Sequence, residues 1–167
     1  MIKQHLALLV DNKPAVLTHV SGLISRRAIN IDCINAGSTE EKEVTRINIV
    51  VEVETQEELD QAVNQLAKLI DVIKIVKLDD APFVSYELAM VKVKSATPAV
   101  REELTGIAAL FHAKVVDVQQ ESLIFRLTGR TDHIDAFLKM LEPYAVMEIA
   151  RTGQISLSRG PIPVKEM

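Results

Sequence analysis

Asp11-Asn12-Lys13-Pro14-Ala15-Val16 is the stretch of this 167-residue sequence whose residue types are best suited to holding a small ligand. It follows the apolar run Gln4 to Val10 and precedes an apolar stripe at helical spacing, so it reads as a strand-to-helix turn with Pro14 at the first helical position. A helix start leaves its first amides unpaired and places the positive end of the helix dipole beside them. The amides of Ala15 and Val16 can therefore accept a carboxylate, while Asn12 offers its side-chain amide. That chemistry is half of an amino-acid site. The same residues also read as an ordinary N-cap in which Asn12 satisfies its own helix, and the turn taken alone favours that reading.

Other reactive side chains do not assemble into a catalytic pattern. His5, His19, His112 and His133 are scattered, none lies three or four residues from another, and no Cys or His cluster has metal-ligand spacing. Glu40-Glu41, Glu57-Glu58 and Glu102-Glu103 fall in loops and helix starts, where acids are solvated or stabilised by the helix dipole. There is no glycine-rich phosphate loop and no nucleophile elbow. The expectation is a chain with no catalytic residues, no metal ligands and no cofactor of its own. Cys33 is the single cysteine and cannot form an internal disulfide; it reads as a small buried thiol in a strand.

The elements that must position the turn follow from periodicity. After the first strand, Val16, Leu17, Val20, Leu23 and Ile24 make a helical stripe ending near Arg26-Arg27-Ala28. Asn30 to Ala36 and Thr45 to Val53 read as strands, joined by a polar loop over Gly37 to Glu43. Thr55-Gln56-Glu57-Glu58 is a capping box opening a helix striped by Leu59, Val63, Leu66 and Ile70, and Val72 to Leu78 closes the unit. The order is βαββαβ, the ferredoxin-like pattern.

The order repeats after the break Asp79-Asp80-Ala81-Pro82. Tyr86 to Lys94 is a strand, and Thr97-Pro98 opens a helix carrying Leu104, Ile107, Ala108 and Phe111. Ala113 to Val118 and Leu123 to Thr128 form a hairpin, Ile134, Phe137, Leu138 and Leu141 stripe a fourth helix, and Val146 to Ala150 is the last strand. From Thr152 onward the spacing predicts an irregular arm. The fold class is α+β, two ferredoxin-like domains in tandem, over residues 1–79 and 84–160 with a tail at 161–167.

A four-stranded βαββαβ sheet with order 4-1-3-2 leaves its second strand, Asn30 to Ala36, at an edge. An open edge invites pairing, and pairing with the same strand of a second chain would bring Asn30 of one subunit near the Asn12 turn of the other. A net charge of −4, no basic tract and 4% aromatic residues argue against nucleic acid. With no apolar run long enough to cross a bilayer, the expectation is a soluble, cytoplasmic protein that does not enter membranes.

At these residues the sequence resembles the acetolactate (acetohydroxyacid) synthase small-subunit family, whose N-terminal module is an ACT domain and whose C-terminal domain is ACT-like. The resemblance is carried by Asn12-Lys13-Pro14-Ala15-Val16-Leu17, Gly22-Leu23-Ile24-Ser25-Arg26-Arg27, Asn30-Ile31-Asp32 and Glu87-Leu88-Ala89-Met90-Val91-Lys92-Val93. It continues through Val115-Val116-Asp117-Val118, Asp135-Ala136-Phe137-Leu138, Glu148-Ile149-Ala150-Arg151-Thr152-Gly153 and Leu157-Ser158-Arg159-Gly160, spanning essentially the whole chain. It implies a regulatory, non-catalytic subunit in valine, leucine and isoleucine biosynthesis. Such a subunit stimulates a large catalytic subunit and mediates feedback inhibition by valine or a related amino acid. It further implies that Asn12, Ala15 and Val16 of one chain, with Asn30 and Ile31 of its partner, bind the effector in a homodimer built through the ACT domains. Thiamine diphosphate, Mg and FAD would belong to the catalytic partner. The alternative is a stand-alone ACT-domain sensor regulating another enzyme. Two departures stand out, because the family usually has glycine where this chain has Ala15 and Ala28. If Ala15 takes helical φ and ψ, its methyl matters only by approaching the ligand; Ala28 implies a different exit from the first helix.

Overall fold

The computed structural model describes residues 2–80 and 82–167; Met1, and Ala81 within the expected break, lie outside the described residues. The chain divides into two compact units, one running through Ser85 and resuming at Gln154–Met167, the other Tyr86–Gly153.

In the first unit β1 (Ile2–Asp11), α1 (Val16–Arg26), β2 (Asn30–Ser38), β3 (Val44–Val53), α2 (Gln56–Leu66) and β4 (Val72–Lys77) follow in the expected order. The strands form an antiparallel sheet ordered β2-β3-β1-β4, with β2 at an edge. Leu6, Leu8 and Val10 of β1 and Ile47, Ile49, Val51 and Val53 of β3 meet Val16, Val20 and Ile24 of α1 and Leu59 and Leu66 of α2 in one core. The alternate residues Ala7 and Leu9 are buried on the opposite face with Leu78 and Val164. Burial on both faces is why Leu6 to Val10 is apolar without interruption. The Thr55 hydroxyl accepts from the Glu58 amide at 3.3 Å, while the Glu58 carboxylate takes the Glu54 amide at 3.1 Å. That is the capping box, displaced by one residue on its return bond. Two stripe positions are corrected: Leu17 is exposed, and Ile70 is 97% exposed because α2 ends at Leu66, leaving Ala62 as the buried neighbour.

The second unit repeats the plan with β5 (Phe83–Lys94), α3 (Pro98–Leu110), β6 (Lys114–Val118), β7 (Ser122–Gly129), α4 (Thr131–Leu141) and β8 (Val146–Arg151), its sheet ordered β6-β7-β5-β8. Thr97 accepts from the Val100 amide at 3.3 Å and Pro98 opens the helix, as read from the sequence. The core stacks Phe125 edge-on to Phe137 at 6.0 Å between ring centroids. Correspondence between the halves reaches local irregularities. Both β2 and β6 carry a register shift, between Ile31 and Cys33 and between Val115 and Asp117. The helix exits also match, since Ala28 (φ 56°) and His112 (φ 57°) are both left-handed one residue past the C-cap. The different helix exit expected from alanine at 28 is therefore not found; Ala28 adopts the conformation that glycine favours there.

The arm is more ordered than the spacing predicts, and the contact division does not follow the expected 84–160 boundaries. The contact division falls inside β5, between Ser85 and Tyr86, and the chain past Gly153 belongs to the first unit. It forms a short strand, β9 (Ile155–Ser158), pairs with β5, and ends in a 3-10 turn at Val164–Glu166. Val164 is buried, and Arg159 N–H donates to the Pro82 carbonyl at 2.8 Å. The reason is that the helix-free face of the first sheet carries an apolar patch at Ala7, Leu9 and Leu78 that needs a cover, which Val164 of the arm supplies.

Candidate functional site

The Asp11 to Val16 turn does form a strand-to-helix junction, but not with the expected backbone. The helix begins at Val16, so Pro14 lies in the turn rather than at the first helical position. Ala15 is the N-cap with φ 69° and ψ −6°, in the left-handed region and not the helical one. An alanine held there costs roughly 1–2 kcal/mol relative to right-handed geometry, which gives glycine a backbone reason at this position apart from any ligand. A left-handed residue followed by helical ones turns successive amides toward one point, the concavity that anions use. No side chain caps α1, so the N-cap reading of Asn12 is not realised.

Asn12 instead bridges to the hairpin between β2 and β3. Its Nδ2 donates to the Lys42 carbonyl at 3.1 Å, its Oδ1 accepts from the Thr45 hydroxyl at 3.2 Å, and its amide donates to the Glu43 carbonyl at 2.8 Å. These bonds fix the turn against β3 and leave a second N–H on Nδ2 to spare. Lys42 and Thr45 carried no sequence signal, because the contact is made across 30 residues of chain or more.

Asn30 and Ile31 lie elsewhere. Asn30 opens β2, is exposed, and donates from Nδ2 to Glu52 at 2.8 Å; Ile31 packs half-buried against the helix-side core. Along β3 the register partner of Asp11 is Val44 and that of Asn30 is Glu52. Eight residues of extended chain span about 26 Å at ~3.3 Å per residue. Within one chain, then, Asn12 and Asn30 sit at opposite ends of the sheet and do not form one pocket.

Several polar residues that looked scattered meet under the arm. His5 Nδ1 lies 3.1 Å from Asp79 and Nε2 2.7 Å from Gln154 Oε1. Asn35 donates to the Gln154 carbonyl at 2.7 Å, Asn48 to Asn35 at 3.0 Å, and Ser156 to Ser85 at 3.0 Å. Cys33 is half-buried, and its Sγ accepts from the Gln154 amide at 3.4 Å. Among the described residues no buried side-chain polar atom lacks a partner and no group of three or more His, Cys, Asp or Glu could hold a metal. These groups latch the arm to the sheet.

In the second unit the Arg151-Thr152-Gly153 run has an architectural role. Glu87 is 5% exposed and is paired with Arg151, which also reaches Asp135 at 2.8 Å. The Glu87 carboxylate is the main reason the guanidinium is raised above its ordinary value. Thr152 exchanges bonds with Leu88, accepting its amide at 3.0 Å on Oγ1 and donating its own amide to the Leu88 carbonyl at 3.0 Å. Gly153, at φ 74°, turns the chain out of the sheet.

Comparison with known proteins gives concordant results. Residues 6–74 match a family profile described as an AHAS small subunit-like ACT domain, and residues 86–160 one described as the small subunit of acetolactate synthase. The chain is 47% identical over 156 residues to the acetolactate synthase small subunit of Mycolicibacterium smegmatis, covering 93% of this chain and 91% of that one. It is 41% identical over 159 residues to that of Bacillus subtilis, covering 95% and 92%. A crystal structure of the acetolactate synthase small subunit from Thermotoga maritima superposes with a TM-score of 0.88 at 31% identity, covering 97% of this chain and all of that one.

Proposed function

Since the chain belongs to the acetolactate synthase small-subunit family, we propose that it is the non-catalytic regulatory subunit of that enzyme in branched-chain amino-acid biosynthesis. In this reading it binds a large catalytic subunit in the cytoplasm and raises its activity. Thiamine diphosphate, Mg and FAD are that partner's. Valine or a related amino acid bound to the ACT domain restrains the complex. The observation that carries the reading is the uncapped, left-handed turn at Ala15, whose converging amides suit a carboxylate, in a chain whose other polar clusters are engaged in structural pairs. The match over 86–160 weighs against a stand-alone ACT sensor.

The effector site is formed between two chains. Antiparallel pairing of β2 with β2 of a second copy lays Asn30 of one chain beside the Ser38 end of the other. Ser38 pairs with Thr45, whose hydroxyl bonds Asn12, so a two-fold axis through the middle of β2 closes the roughly 26 Å gap that one chain leaves open. Asn12, Ala15 and Val16 then face Asn30 and Ile31 of the partner subunit.

Charge placed on the β2 edge tests this. Ile34 packs against the core, so a charged residue there would also disturb the monomer. Ala36 is exposed, and with strands centred on Ile34 it lies opposite Asp32 of the partner subunit. Ala36→Glu is expected to shift sedimentation from dimer to monomer and to abolish valine binding in calorimetry while the circular dichroism stays native. A folded monomeric variant that binds valine as wild type does would remove the shared site.

A further inference from the structure

The two units differ on the face of the sheet that no helix covers. Val10 and Val93 are the last helix-side residues of the central strands β1 and β5, so Ala7 and Met90, three residues earlier, are counterparts on the opposite face. Ala7 is fully buried with Val164 of the arm, whereas Met90 is 40% exposed. Beside Met90, Ile124 of β7 and Ala150 of β8 line a cleft of ≈ 140 Å³ bounded by the Lys92–Glu148 ion pair.

The charges around that cleft select what could cover it. Lys114 of β6 stands directly opposite Arg126 of β7, and Arg126 directly opposite Met90. Like charges placed so destabilise a sheet. Arg126 is half-buried, and among the described residues neither it nor Lys114 has an ion-pair partner. The acids of this face lie one row away and are engaged, Glu148 with Lys92 at 2.9 Å and Asp117, opposite Ile124, with the Gln119 amide at 3.1 Å. Counting Lys92 and Lys94, the strands present four bases to this face against those two acids. A second copy laid against it would set base against base, while a segment bearing carboxylates would answer both unpaired cations. The first unit shows the same solution with the signs exchanged, since its arm brings Val164 to the sheet and Lys165 to Glu41 and Glu40. We propose that the helix-free face of the second sheet docks an acidic, apolar segment of the catalytic subunit, its carboxylates on Arg126 and Lys114 and an apolar side chain over Met90, Ile124 and Ala150. This rests on the regulatory reading and adds the surface through which it acts.

Binding of the whole protein to its immobilised cognate catalytic subunit tests this, with acetolactate formation read in parallel. Arg126→Glu sets an acid opposite Lys114 and removes the like-charge contact. The variant is expected to melt no lower than wild type while its affinity for the catalytic subunit falls about tenfold or more, opposite signs that a merely structural role would not produce. Lys114→Glu, at an exposed edge position, and Met90→Ser, which removes the apolar contact alone, should each weaken binding as well. Added salt should weaken wild type more than Arg126→Glu. Wild-type affinity and full stimulation in all three variants overturn the proposal and leave the regulatory reading standing; a wild-type protein that does not bind the catalytic subunit overturns both. Single-stranded RNA bound by wild type and lost in Arg126→Glu, with affinity for the catalytic subunit unchanged, assigns the face to another partner and overturns the proposal too.

Discussion

Ala15 and Ala28 hold φ angles of 69° and 56°, where an L-residue with a β-carbon is strained by roughly 1–2 kcal/mol and glycine is not. Glycine in turn adds about 0.4–1 kcal/mol of conformational freedom to the unfolded chain. The balance favours glycine by about 0.5–1 kcal/mol at each site, so Ala15→Gly and Ala28→Gly should each raise the melting temperature by about 1–4 °C. Ala136→Gly, at an exposed position in the middle of α4, should lower stability by about 1 kcal/mol and serves as the sign control. Equal losses at all three positions, read by thermal and urea unfolding, would contradict the left-handed assignments. Ala15→Gly has a second readout: if the methyl also crowds the bound carboxylate, valine affinity rises about tenfold or more in calorimetry.

At the scale of elements the arm is the piece that completes the first unit. Val164 is 4% exposed beside Ala7, Leu9 and Leu78, and Lys165 clamps the hairpin through Glu41. Its bond to Glu41 holds the Lys165 ammonium above the ordinary 10.5, stability present below that value and lost as pH rises through the folded one. Glu40, held below the ordinary 4.5 first by its own backbone amide and then by Lys165, adds stability present above 4.5 and lost on acidification. The clamp thus holds across the neutral range. Val164→Asp buries a charge that the site cannot pair, and hydrogen exchange should speed up over Gln154–Met167 while the α1–α2 core stays protected. Unchanged exchange in the arm would mean that Val164 does not anchor it.

The arm also marks where the sequence stopped being legible. Thr55 and Thr97 announce their helices through oxygen atoms placed three residues before the amide they accept, β1 announces itself by an unbroken apolar run, and the helices by their stripes. A single apolar residue between Pro163 and Lys165 has no period, and β9 is four residues long with exposed Ile155 and Leu157. The turn was legible as a place but not as a conformation, because alanine gives no sign of a positive φ. Asn12 was legible as polar, yet its partners Lys42 and Thr45 depend on register between strands.

Over the whole molecule the two units share a plan and differ in what they carry. The first holds the candidate effector turn and receives the arm. The second is held by the pair between buried Glu87 and exposed Arg151, which lie in two of the segments that carry the family resemblance. A fragment ending before Gln154 would leave Ala7, Leu9 and Leu78 without the cover Val164 provides, so the first unit depends on chain that follows the second unit. The central claim, a regulatory subunit without chemistry of its own, is tested most directly by measuring acetolactate formed from pyruvate by the cognate catalytic subunit, with and without this protein. The account predicts no product from this chain alone, a several-fold rise when it is added to the catalytic subunit, and a valine-dependent fall from that raised rate. Acetolactate made by this chain by itself, or a catalytic rate that does not change when it is added, would contradict it.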